Sequence, residues 1–108
     1  MVERIYSFLG IATKAGKLLS GDGACERALK TGKACLVIVS EDASDNTKKK
    51  FSDKCGSRKV ELRLFGEKQM LGKYTGKDER TVIAITERGL AGHLREMIDN
   101  RGKEHGGV

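Results

Sequence analysis

Apolar residues fall along the 108-residue chain in a pattern that switches repeatedly between helical and strand spacing. Ile5, Phe8, Leu9, Ala12 and Ala15 recur three and four apart, which predicts an amphipathic helix over residues 3–15, with Lys14 at the end where the helix dipole favours a cation. Gly16 stops it. Residues 17–20 are short and extended. The turn Gly21-Asp22-Gly23 then opens into a second helix over 23–31, built on the small frame Ala24, Ala28 and Leu29 and closed by Gly32. Residues 34–39, ACLVIV, are apolar at every position, as befits a central strand covered on both faces.

Residues 40–44 are rich in N-capping side chains, and Thr47, Phe51 and Cys55 continue at four-residue steps into a third helix that should end near Gly56. Val60, Leu62 and Leu64 alternate with Glu61 and Arg63, marking a half-exposed strand. A helical turn at 67–71 leads into a charged loop over 72–80, and residues 82–85 form another buried strand. Leu90, Leu94, Met97 and Ile98 define the last helix. The alternation predicts an α/β fold, a three-layer α/β/α sandwich with a four-stranded mixed sheet. Residues 1–101 read as one domain and 102–108 as a flexible tail.

Charge sharpens this picture. Twenty-one basic residues stand against 15 acidic ones, a net charge of +6, which makes a polyanion the favoured class of partner. The apolar run at 35–39 is too short to span a membrane, and the N-terminus has no secretory pattern, so a cytoplasmic location with no membrane partner is expected. Cys25, Cys35 and Cys55 form no C-x-x-C pair, so neither a zinc site nor a redox motif is indicated; three reduced, mostly buried thiols are expected.

Catalytic chemistry finds no foothold. Residues 10–17, GIATKAGK, superficially resemble a phosphate-binding loop, but the glycine spacing is one residue too long and Leu18 replaces the required Ser or Thr. His93 and His105 have no spaced partner for metal or base chemistry, and Glu41-Asp42 precedes a helix, where capping is the better use. No metal, no cofactor and no enzymatic activity are expected. Lys48, Lys49 and Lys50 point about 100° apart on a helix and read as a solvated face.

The basic loops are more informative. If strands 36–39 and 82–85 are neighbours, the turn at 20–23 and the loop at 73–80 lie at one end of the sandwich, and backbone amides would gather there with Lys17, Arg27, Lys73, Lys77 and Arg80. The aromatics Tyr6, Phe8, Phe51, Phe65 and Tyr74 show no strand pattern, so a base-stacking sheet is not expected.

Several segments, in order and spacing, resemble the L-seven-Ae family of kink-turn-binding ribosomal proteins, and most closely its small bacterial YlxQ-type members. They are residues 16–21 (GKLLSG), 28–34 (ALKTGKA), 36–44 (LVIVSEDAS), 46–49 (NTKK) and 71–77 (LGKYTGK), within a likeness covering residues 3–99. The resemblance implies an α/β/α sandwich that binds structured RNA, a kink-turn or ribosomal RNA, with ribosome association and a monomeric state expected. It maps the element that meets guanine edges onto Gly21, Asp22, Gly23, Ala24 and Arg27, and the loop that packs on bulged nucleotides onto Lys77, Asp78 and Glu79. The chain has Gly23-Ala24 where kink-turn binders carry an Asn-Glu pair, and Arg27 in place of a Lys. The candidate RNA-contacting set is Lys17, Gly21, Asp22, Gly23, Arg27, Lys30, Lys73, Lys77 and Arg80. A protein-interaction module that keeps the fold without specific RNA binding is the alternative.

Overall fold

The computed structural model describes residues 2–101, so the tail expected at 102–108 lies outside the described residues. The elements run α1 (Val2–Lys14), β1 (Leu18–Ser20), α2 (Asp22–Lys30), β2 (Leu36–Val39), α3 (Asp45–Arg58), β3 (Glu61–Leu64), α4 (Lys68–Tyr74), β4 (Val82–Ile85) and α5 (Arg88–Asn100). The strands form one sheet in the order β1-β4-β2-β3. β2 runs parallel to β3 while β4 is antiparallel to both β1 and β2, so the sheet is mixed, as expected.

The two strands that are apolar throughout, β2 and β4, take the centre and are buried at every position. Their register pairs Leu36 with Ile85 and Val39 with Val82. Because successive side chains leave a strand on opposite faces, Leu36, Ile38, Ile83 and Ile85 share one face, and Val37, Val39, Val82 and Ala84 share the other. Residues of α1, α4 and α5, among them Ile5, Leu9, Leu71, Leu94 and Ile98, cover the first face. Cys25, Ala28 and Leu29 of α2, with Phe51 and Cys55 of α3, cover the second. Three layers result. Edge strand β3 sets charges between its leucines: Arg63 grips Asp99 of α5 through Nε at 2.7 Å and Nη2 at 3.0 Å. That guanidinium holds the Asp99 carboxyl below the usual carboxylate range.

Two helices outrun the glycines that should have stopped them. α3 continues through Gly56 to Arg58 and turns at Lys59, a non-glycine residue at φ 57°. α4 continues through Gly72 to Tyr74, so Gly72, Lys73 and Tyr74 are helical and the loop before β4 is shorter than expected. Gly76, at φ +75°, is the residue that ends α4: Lys77 N–H donates to the Gly72 carbonyl at 2.8 Å and Gly76 N–H to the Lys73 carbonyl at 3.3 Å. This pair of bonds closes a helix most easily with glycine in the left-handed position.

Tyr6 ties α1 to that region. Its ring stacks on Tyr74 with centroids 5.1 Å apart and meets Phe65 at the same distance, and its hydroxyl accepts from Glu67 N–H at 3.1 Å. Burial pushes the Tyr6 phenol up, against the lowering effect of that hydrogen bond.

Candidate nucleic-acid interface

The antiparallel pairing decides which loops meet. Ser20, the last residue of β1, pairs with Ile83 near the start of β4, and Val39, the last of β2, pairs with Val82. The turn entering α2, the turn entering α3 and the loop leading to β4 therefore crowd one end of the sheet. Gly21 N–H donates to the Val82 carbonyl at 3.0 Å and Ser40 N–H to the Thr81 carbonyl at 2.8 Å, joining all three segments.

At this end α2 begins without a side-chain cap. Gly21 occupies the capping position at φ +97°, a conformation that favours glycine, and offers no side-chain acceptor to the first turn. The neighbouring helices differ: Ser44 Oγ accepts from Thr47 N–H at 3.1 Å at the start of α3, Asp42 Oδ1 from Lys68 N–H at 3.0 Å at the start of α4, and the Glu87 carboxylate from Gly89 and Leu90 N–H at the start of α5. Burial opposes the charge on Asp42, yet the hydrogen bond from Lys68 N–H helps to outweigh it and lower its pKa. Glu87 is lowered by its bonds to Gly89 and Leu90. Carboxylates thus serve the starts of α4 and α5, whereas the positive end of α2 is left to an outside acceptor.

Arg27 covers this opening. A Cβ placed on Gly23 would be in ordinary contact with Arg27 Nη1, at 3.5 Å, so the guanidinium folds back along the helix toward its N-terminus and lies beside Gly23. The five donors of the guanidinium and the amides of the first turn stand side by side. Asp22, by contrast, is turned toward α3, its carboxylate 3.7 Å from Lys50 Nζ. Glu26 is held by the same Lys50 at 3.0 Å and by Lys54 at 3.5 Å, and the Lys50 bond lowers its pKa. Lys49 pairs with Asp53 at 3.4 Å. Two members of the 48–50 lysine run are therefore occupied within the fold.

The 75–81 loop is fastened from both sides. Arg80 Nε donates to Ser20 Oγ at 3.2 Å and Arg80 N–H to the Lys68 carbonyl at 3.0 Å. Gly72 packs so closely under the loop that a Cβ there would overlap the Asp78 carbonyl. Thr75 is buried and donates to the Leu71 carbonyl at 2.8 Å. Lys77 and Asp78 remain exposed, and Glu79 leans toward Lys68, with 3.8 Å between charged atoms.

A comparison with known families places this geometry. The sequence profile of the ribosomal protein L7Ae/L30e/S12e/Gadd45 family matches residues 3–94. The chain belongs to this family. It is 37% identical over 94 residues to the RNA-binding protein YlxQ of Bacillus subtilis (strain 168), covering 87% of this chain and 94% of that one. It is 36% identical over 101 residues to the protein of the same name from Enterococcus faecium, covering 90% and 93%. Among solved structures, a protein of unknown function from Bacillus halodurans C superimposes with a TM-score of 0.84 at 42% identity, over 88% of this chain and 96% of that one. The Giardia lamblia 15.5kD RNA binding protein shares the fold at a TM-score of 0.75 and 18% identity, over 91% and 88%.

Of the residues singled out in this family member, Gly21, Gly23, Arg27 and Arg80 stand at the one end. Lys73 lies on α4, with its ammonium 6.0 Å from the Tyr74 ring centroid, and Lys77 lies in the loop that follows. Lys17 is not brought there. Its carbonyl accepts from Thr86 N–H at 2.9 Å, at the far end of β4, because the extended β1 separates it from Gly21 by about 13 Å. Lys30 sits in the last turn of α2, away from the opening. The sequence reading passed over Ser20, which anchors Arg80, and Gly72, which admits the loop. A glycine inside a helical stretch is the only local sign of the latter.

Proposed function

We propose that this protein is a non-enzymatic RNA-binding protein that engages a kink-turn or closely related structured RNA, works in association with the ribosome or translation, and does so in the cytoplasm as a monomer. The observation that carries the reading is the uncapped start of α2, with Arg27 folded over Gly23 beside it. Backbone N–H groups and a guanidinium are all donors, matching the O6 and N7 acceptors that guanine presents in the major groove. Where an Asn-Glu pair is absent, Arg27 supplies the side-chain contact, and its planar fork can make two bonds to one base. Lys77 and Arg80, on the fastened loop, add phosphate contacts that are indifferent to sequence.

Membership of the family and the likeness to the two RNA-binding YlxQ relatives support RNA as the partner. No helix of the described residues is long and apolar enough to cross a membrane. The absence of polar side chains at Gly23 and Ala24 favours one competing reading, a protein-interaction module on the same fold. Cross-linking in cells with sequencing of the bound RNA, alongside co-purification before and after ribonuclease treatment, separates them. RNA binding predicts recovered structured RNA and partners that vanish with nuclease; partners that persist, with no enriched RNA, would establish the other reading.

A further inference from the structure

Both α2 and α3 begin at the proposed recognition end, so the groove between them leads away from it. That groove has a volume of about 470 Å³ and is lined by Arg27, Lys30, Lys54, Ser57 and Arg58. Glu26 is the sole carboxylate among its lining residues, and it is already held by Lys50 and Lys54. Lys54 is engaged with that acid, which leaves Arg27, Lys30 and Arg58 without one in the groove. Arg27, Lys30 and Arg58 are exposed, and among the described residues no carboxylate lies within ion-pair distance of any of them. Some cations elsewhere are paired, Lys49 with Asp53, Arg63 with Asp99, Arg95 with Glu61 and Arg101 with Glu41; what marks the groove is that three unpaired cations line one depression.

We infer that the α2–α3 groove is a second RNA contact, a track for the sugar-phosphate backbone of a stem that leaves the recognition end. This inference rests on the proposed RNA binding and adds a surface to it. Lys30 lies roughly 10 Å along the helix from Gly23 at 1.5 Å per residue, so Arg27 reaches the opening while Lys30 and Arg58 reach only nucleotides further out. Ammonium and guanidinium groups bind phosphate oxygens through charge-assisted hydrogen bonds, and the Ser57 hydroxyl supplies a neutral donor among them. Such contacts carry no base preference and respond to salt. The groove therefore lengthens the footprint and leaves the choice of RNA to the α2 opening.

Filter binding across a salt series tests this with a synthetic kink-turn RNA bearing two long stems, and with versions in which each stem in turn is trimmed close to the internal loop. Arg58→Ala is expected to weaken binding of the long-stemmed RNA several-fold and to lower its salt slope by about one. Trimming the stem that follows the groove should abolish this difference, and Arg58→Lys should keep the wild-type affinity and salt slope. The inference is overturned if Arg58→Ala leaves the slope unchanged, or if the loss is the same on every trimmed RNA. Wild-type protein that binds the trimmed RNAs as tightly as the long one, with Arg58→Ala silent, overturns the groove alone. Wild-type protein that binds none of them overturns the groove and the RNA reading together.

Discussion

Arg80 Nε donates to Ser20 Oγ at 3.2 Å, a side-chain bond that joins the loop before β4 to the last residue of β1. It couples the two segments on which the proposed recognition depends. Ser20→Ala removes the anchor and leaves the charge; Arg80→Ala removes both. Loss of one such bond corresponds to about 0.5–1.5 kcal/mol, or roughly 2- to 10-fold in affinity. Both variants should weaken kink-turn RNA binding by at least this much, but only Arg80→Ala should also lower the salt slope, by about one. Isothermal titration at several salt concentrations distinguishes the two effects.

Gly72 holds the same loop from beneath. A methyl group there would run into the Asp78 carbonyl, a backbone atom with little freedom to move. Gly72→Ala is expected to destabilise the protein by about 1–3 kcal/mol and to displace residues 77–80. Thermal denaturation should show a lower midpoint, and RNA affinity should fall even at temperatures where the variant remains folded.

Lys59 gives the opposite expectation. It ends α3 at φ 57°, where its N–H donates to the Gly56 carbonyl at 3.3 Å and Val60 N–H to the Cys55 carbonyl at 2.9 Å. A side chain in this conformation costs about 1–2 kcal/mol, part of which glycine recovers against its greater freedom in the unfolded chain. Lys59→Gly should raise the denaturation midpoint by about 2–8 °C.

The cysteines predict a pH response. Cys25 and Cys55 are buried on the α2–α3 side of the sheet, and burial pushes their thiols up to about 12 and about 11. A raised folded pKa means that the folded state holds the proton more tightly. The associated stability is complete below the ordinary thiol value of 9.0 and is lost as pH rises from there through about 11–12. Urea denaturation should show this alkaline loss, and it should shrink in Cys25→Ala once that variant's lower baseline is allowed for. In native protein at pH 8 a thiol reagent should reach half-buried Cys35 first, and Cys25 and Cys55 only on unfolding.

The layers were legible because burial leaves a plain mark. Strands apolar at every position, 36–39 and 82–85, had to be central, and helical periodicity identified the elements covering them. Helix ends were harder, since Gly56 and Gly72 look like stops. Gly72 is a glycine because of a carbonyl six residues later, a contact with no local signature. Arg27 was legible as a cation near the start of a helix, but its fold-back over Gly23 belongs to three-dimensional structure. Lys17 was misplaced by nearness in sequence: four residues along an extended strand carry the chain to the opposite end of the sheet.

The central claim is that the open start of α2 recognises the RNA, with Arg27 supplying the side-chain contact. The most direct measurement is a titration of wild type and Arg27→Ala with a kink-turn RNA and with a fully paired duplex of the same length. Wild type should prefer the kink-turn by about tenfold or more, and Arg27→Ala should lose about 1–3 kcal/mol on the kink-turn and much less on the duplex. Equal affinity of wild type for the two RNAs, or an Arg27→Ala variant that keeps the preference, would contradict the account.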